Sequence, residues 1–144
     1  MMSKAAPKFY DVDMPIRSFV TKRLIGVKSE SSVQEAAEKM VEFSTGSLIV
    51  IEDDEVIGFL TDGDIKKKVV AKGLKPDMPV KEIMVEELIT ADISSDIKDV
   101  LELMAEKNIQ HVLIEENDDI VGIVTFRDLI DIERQKLETY ISRE

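Results

Sequence analysis

Two short segments carry residue types that could hold a hydroxylated or anionic small molecule: Thr61-Asp62-Gly63-Asp64 and Thr125-Phe126-Arg127-Asp128. Each follows an apolar run interrupted by a glycine, Gly58 in the first and Gly122 in the second. A carboxylate accepts well from two vicinal hydroxyls, and a Thr hydroxyl can both donate and accept. A helix beginning at that Thr adds N–H groups and a partial positive charge suited to phosphate. The same spacing also serves a purely structural end. A Thr with an acid three residues on satisfies the free N–H groups of a helix N-terminus. The two uses are compatible, since one Thr can cap a helix and line a pocket. The glycines either allow close packing within a strand or let another group approach the backbone.

The elements around these turns recur as well. From Pro15 the chain can be laid on itself from Pro79 without a gap. Leu24, Ile25, Ser31, Met40, Asp54 and Gly58 return as Leu88, Ile89, Ser95, Met104, Asp118 and Gly122. Two copies are too few for a solenoid, so a pair of related units sharing a core is expected. Each unit opens with a short amphipathic segment (Ile16, Phe19, Val20; Val80, Ile83, Met84) and a strand, Leu24–Val27 or Leu88–Ala91. Apolar spacing i, i+3, i+4, i+7, i+8 at Val33, Ala36, Ala37, Met40 and Val41 predicts a helix, repeated from Ile97 to Ala105. Ser32 with Glu35 and Asp96 supply the N-terminal caps. Leu48–Ile51 and Val56–Leu60 flank an acidic turn and predict a hairpin, as do Val112–Ile114 and Ile120–Val124. A last helix leaves each Thr; the first stops near Gly73, and the second can continue through Arg134, Leu137 and Tyr140. The unit is thus β-α-β-β-α, twice. The expected division is an extension at 1–14, a first repeat with its linker at 15–78, and a second repeat with a C-terminal helix at 79–144. Phe9 and Tyr10 are the large apolar groups of the extension.

Bulk composition narrows the function. At 144 residues and 44% hydrophobic, the chain can bury a core, built from aliphatic residues because aromatics are only 5%. A net charge of −11 opposes nonspecific binding to nucleic acid or to an anionic membrane. Cysteine is absent, which removes disulfides, thiol nucleophiles and Cys-ligated metals. With no signal-peptide core and no bilayer-length apolar run, the expected location is the cytoplasm.

Other candidates point to no catalysis and no metal. His111 is the one histidine, with no second His or Cys beside it for a metal and no Ser or Cys nucleophile to activate. It suits a strand start or the edge of a pocket. The acidic turns lack the spaced acid pattern of a Ca²⁺ loop and read as solvated hairpin tips. Lys66, Lys67 and Lys68 read as a solvated helix face that could partly serve an anion. No catalytic residues, metal ligands or cofactor are expected.

Each repeat ends in Gly, two apolar residues, then Thr-x-x-Asp. The gapless pair resembles a tandem CBS-domain module, also called a Bateman module, over residues 15–135. The resemblance implies an α/β (α+β) fold: two β-α-β-β-α repeats packed with pseudo-two-fold symmetry through their sheets, with two clefts between them. It implies binding of an adenosine compound (AMP, ADP, ATP or S-adenosylmethionine), regulation of a separate partner chain, and pairing into homodimers. On this chain, Asp64 and Asp128 would hold ribose hydroxyls, with Thr61 and Thr125 on ribose or phosphate. Ile25, Gly26 and Val27, and Ile89, Thr90 and Ala91, would line the adenine through backbone groups and apolar faces. Ser47 and Leu48, and His111 and Val112, would close over the base or ribose.

The two sites differ between Thr and Asp. Members of this family often carry a basic residue there, and Arg127 fits; an Arg fork suits phosphate. Asp62 would repel phosphate, and Gly63 adds no side chain. The Asp128 site is therefore expected to bind a phosphorylated adenosine and the Asp64 site to bind it weakly or not at all. The alternative function is a ligand-free dimerisation or docking module. An enzyme is not expected.

Overall fold

The computed structural model describes residues 15–21 and 24–129. The expectations for residues 1–14, and for the last helix beyond 129, lie outside them. The chain forms two compact units, one of residues 24–88 and one that joins residues 15–21 to 89–129. Both are mixed α/β, each with a three-stranded sheet.

In the first unit, β1 (Gly26–Lys28) runs parallel to β2 (Ser47–Glu52), which pairs antiparallel with β3 (Glu55–Thr61). The crossover from β1 to β2 is α1 (Val33–Glu42), whose Ser32 side chain accepts from the Glu35 amide. The apolar stripe of α1 buries Val33, Ala36 and Met40 against Val27, Leu48, Val50 and Leu60 of the sheet. Val41, at the margin of that stripe, is 80% exposed. After β3 the chain enters α2 (Asp62–Ile65), widens into a π-helical turn at Lys66–Val70, and stops at Gly73, whose φ of 68° suits glycine.

The second unit repeats the plan. Strands β4 (Thr90–Asp92), β5 (His111–Glu116) and β6 (Asp119–Thr125) lie in the order β4-β5-β6, with α3 (Ile97–Lys107) as the crossover. Asp96 and Asp99 form a reciprocal capping box at the start of α3. Ile97, Val100 and Met104 pack against Val112, Ile114 and Val124. Residues 126–129 begin the helix corresponding to α2.

The hairpin tips are tighter than the acidic runs suggest. Asp53 and Asp54 have φ of 51° and 65°, and Asn117 and Asp118 have φ of 52° and 68°. Two consecutive left-handed residues make a two-residue turn that suits strand twist, and Asn and Asp tolerate it best among residues with a side chain. The acids are therefore placed by backbone conformation and point to solvent.

Repeat and compact unit do not coincide. Val80 and Ile83, which open the second sequence repeat, lie in the core of the first unit. Ile16, which opens the first repeat, lies in the core of the second. The exchange is reciprocal: Val85 and Phe59 exchange amide-to-carbonyl bonds of 2.8 and 2.9 Å, and Thr21 and Ile123 exchange bonds of 2.9 and 3.0 Å. Each opening segment thus covers the outer edge of the hairpin that belongs to the other repeat. Edge groups left open would invite pairing with other chains.

Candidate ligand-binding site

The exchange decides what the two glycines do. Gly58 lies opposite Val50 and Gly122 opposite Ile114, each at a bulge where the following pairs shift register. An added Cβ on Gly58 would strike Met84 and lie 3.2 Å from the Val85 carbonyl oxygen. One on Gly122 would strike Val20 and lie 2.7 Å from the Thr21 carbonyl oxygen. The group that approaches these backbones is the chain's own opening segment.

At the end of β3, Thr61 and Asp64 form a complete capping box. The Thr61 amide donates to Asp64 Oδ2 at 2.9 Å, Thr61 Oγ1 donates to the same oxygen at 3.1 Å, and the Asp64 amide donates to Thr61 Oγ1 at 3.2 Å. At the end of β6, the Thr125 amide donates to Asp128 Oδ2 at 3.3 Å and the Asp128 amide to Thr125 Oγ1 at 3.1 Å. The capping use of both turns is present in full. It also fixes each carboxylate in one orientation, because the Oδ2 bonds clamp the side chain to its own turn.

Sheet topology gathers the other residues. Ser47 pairs with Thr61, and the Ile49 amide donates to the Ile25 carbonyl, so the start of β1, the start of β2 and the end of β3 share one end of the sheet. His111 pairs with Thr125, and the Leu113 amide donates to the Ile89 carbonyl, giving the same arrangement in the second unit. Strand spacing puts the first and third strands about 10 Å apart, within the span of a nucleoside.

Not every candidate is free to meet a ligand there. Val27, Leu48 and Val112 are 6%, 1% and 0% exposed and their side chains belong to the cores, which leaves their backbone groups as what they could offer a ligand. Along β1 the bonds to β2 come from Ile25 and Ser29, flanking Val27, so Gly26 turns its own peptide groups to the free edge. The corresponding residue in β4 is Thr90, between Ile89 and Ala91. Arg127 and Phe126 are exposed, as is Asp62, while Asp64 and Asp128 are half-buried.

Two lysines reach the site: Lys39, which the sequence did not single out, and Lys68, one of the three expected on a solvated face that could partly serve an anion. Lys39 Nζ donates to the Gly26 carbonyl. Lys68 Nζ lies 3.3 Å from Asp64 Oδ1 and donates to the Ile83 carbonyl at 2.9 Å. Lys66 and Lys67 are exposed, as a solvated face requires, but Lys68 is held between two acceptors. The signal lay in the repeat: the positions equivalent to Lys39 and Lys68 are Leu103 and Ile132. Among the described residues no cluster of His, Asp and Glu is suited to a metal, and no helix is long and apolar enough to cross a membrane.

The family model for the CBS domain matches twice, at residues 16–71 and 80–134. The chain belongs to the CBS-domain family. A CBS domain-containing protein of Bacillus subtilis is 32% identical over 114 residues, which cover 79% of this chain and 81% of that one. A protein of Methanopyrus kandleri is 34% identical over 113 residues, covering 76% of this chain and 57% of its own length. The chain thus matches little more than half of that relative's length. Among solved structures, a conserved protein from Pyrococcus horikoshii is 48% identical, with a TM-score of 0.83 over 87% of this chain and 96% of that one. The CBS domain pair of protein MJ0100, solved with 5′-methylthioadenosine and S-adenosyl-L-methionine, is 26% identical, with a TM-score of 0.76 over 85% of this chain and 98% of that one. The CBS family membership and the paired α/β fold expected from the duplicated turns are thereby established.

Proposed function

We propose that this CBS pair is a ligand-sensing regulatory module that binds an adenosine compound and signals to a separate protein. The observation that carries it is the convergence in the second unit. Asp128 and Thr125 share one end of the sheet with the free edge of β4 and with His111. That end offers a carboxylate for ribose hydroxyls, a strand edge for a base, and Arg127 for a phosphate. The adenosine compounds bound by the MJ0100 pair support the same ligand class. Among AMP, ADP, ATP and S-adenosylmethionine, the exposed Arg127 guanidinium favours a phosphorylated member. The role is regulatory rather than catalytic, set in the cytoplasm where such nucleotides are found, and exercised as a homodimer. Binding would shift the population of two arrangements that the partner distinguishes.

A second reading draws on a specific observation. The cap bonds at both Thr-x-x-Asp turns are complete within the chain, which gives each Thr and Asp a structural role of its own. On that reading the chain is a dimerisation or docking module. Calorimetric titration with AMP, ADP, ATP and S-adenosylmethionine separates the two. Saturable heat with at least one of them supports the sensor. No heat with any at millimolar concentration, together with a melting temperature indifferent to them, supports the docking module.

A further inference from the structure

We infer that Lys39 and Lys68 occupy, from within the chain, the groups of the first unit that adenosine would use, and so restrict ligand binding to the second unit. This rests on the proposed adenosine site and names what decides between its two copies. In the first unit the strand edge presents the Gly26 carbonyl, and Lys39 Nζ already donates to it. The Asp64 carboxylate has its Oδ2 filled by the Thr61 amide and hydroxyl, and its Oδ1 faced by Lys68 Nζ at 3.3 Å. Lys68 is not a loose surface cation. A 2.9 Å bond to the Ile83 carbonyl anchors it on the other side, and its side chain is only 39% exposed.

A base and a ribose would both have to displace an ammonium group that satisfies the same acceptor. Adenine could donate its amino hydrogens to a strand-edge carbonyl, and ribose its two hydroxyls to a carboxylate. Lys39 and Lys68 supply those donors intramolecularly, at the high effective concentration of a tethered group. The sequence-equivalent positions of the second repeat are Leu103 and Ile132, residue types whose side chains carry no hydrogen-bond donor. The difference is thus paired: both lysines stand in the first repeat and both aliphatic residues in the second.

The test replaces the lysines by their counterparts, K39L/K68I, and counts AMP bound per full-length chain by calorimetry. The expected result is one AMP on the wild type and two on the variant, or a second site tightened roughly tenfold or more. D64N in the same background should weaken the added site by roughly tenfold or more and leave the first unchanged. K39M/K68M, which keeps most of the side-chain length without the charge, provides the same reading if the aliphatic pair fails to fold. A variant whose second-site binding equals that of the wild type overturns the inference while leaving the adenosine site intact. Failure of both proteins to bind AMP or any of the other three compounds refutes the adenosine site itself.

Discussion

Asp128 and Thr125 hold each other by two reciprocal bonds, the Thr125 amide to Asp128 Oδ2 and the Asp128 amide to Thr125 Oγ1. A single carboxylate therefore has a structural duty and a proposed ligand duty, and substitution by Ala would confuse them. D128N separates them, because the Asn side-chain oxygen can still accept from the Thr125 amide while the charge is lost. Stability should fall by less than about 1 kcal/mol, at the mild end of cap losses. AMP affinity should fall by roughly tenfold or more, matching the loss of a hydrogen bond to a charged group. Calorimetry alongside urea unfolding measures both. Unchanged affinity would refute the ribose role.

Arg127 stands exposed between Phe126 and Asp128, where the first repeat has Gly63. R127A should weaken AMP and ATP by roughly tenfold, the scale of a lost charge-assisted bond. Adenosine itself, which has no phosphate, should bind R127A as it binds the wild type. Equal losses for adenosine and AMP would show that Arg127 does not meet the phosphate.

G58A and G122A should both destabilise, and G122A more. Cβ at 58 meets chiefly the Met84 side chain, which can swing aside, and lies 3.2 Å from the Val85 carbonyl oxygen. Cβ at 122 meets branched Val20 and lies 2.7 Å from the Thr21 carbonyl oxygen, which can move only with its backbone. Overpacking of this kind costs about 1–3 kcal/mol. Urea midpoints give the ranking, and a G58A protein less stable than G122A would contradict the crossing geometry.

Asp92 accepts from the Ser94 hydroxyl and from the Ser94 amide, the latter at 2.9 Å. These bonds, the hydroxyl's foremost, hold its carboxyl below the usual carboxylate range, with Arg17 contributing less. A folded pKa below the unfolded one stabilises the protein above the unfolded value, and that stabilisation is lost as pH falls through the folded value. S94A should therefore raise the Asp92 midpoint while the amide bond remains. Carbon-detected NMR titration of the carboxyl reads it directly, and an unmoved midpoint would remove the hydroxyl as the cause.

What the sequence made legible was local or periodic. Val33, Ala36 and Met40 declared a buried helix face by spacing alone. Ser32 and Asp96 declared the caps, because a cap needs only residues three apart. Gly58 was legible as a site of close approach, but not what approaches it: Met84 and Val85 lie more than 25 residues onward. Lys68 stood four residues after Asp64, the helical spacing of an ion pair, yet nothing local pointed to the Ile83 carbonyl that anchors it. Val27, Leu48 and Val112 were grouped with the ligand by resemblance; strand alternation, which places their side chains in the cores, was legible only from the register of each strand.

The exchange of opening segments also decides when each core can be completed as the chain is synthesised. Residues 24–88 are continuous, and the Val80 and Ile83 that complete their core follow directly from the same stretch of chain. They can close as soon as they leave the ribosome. The other unit cannot, since Ile16 must wait for Val112, Ile114 and Val124, which arrive only after the whole first unit has been made. Closing that interval costs chain entropy, a cost that falls if the intervening unit is already compact. Residues 15–21 are thus the part of the first repeat that must wait longest during synthesis for the residues that bury it.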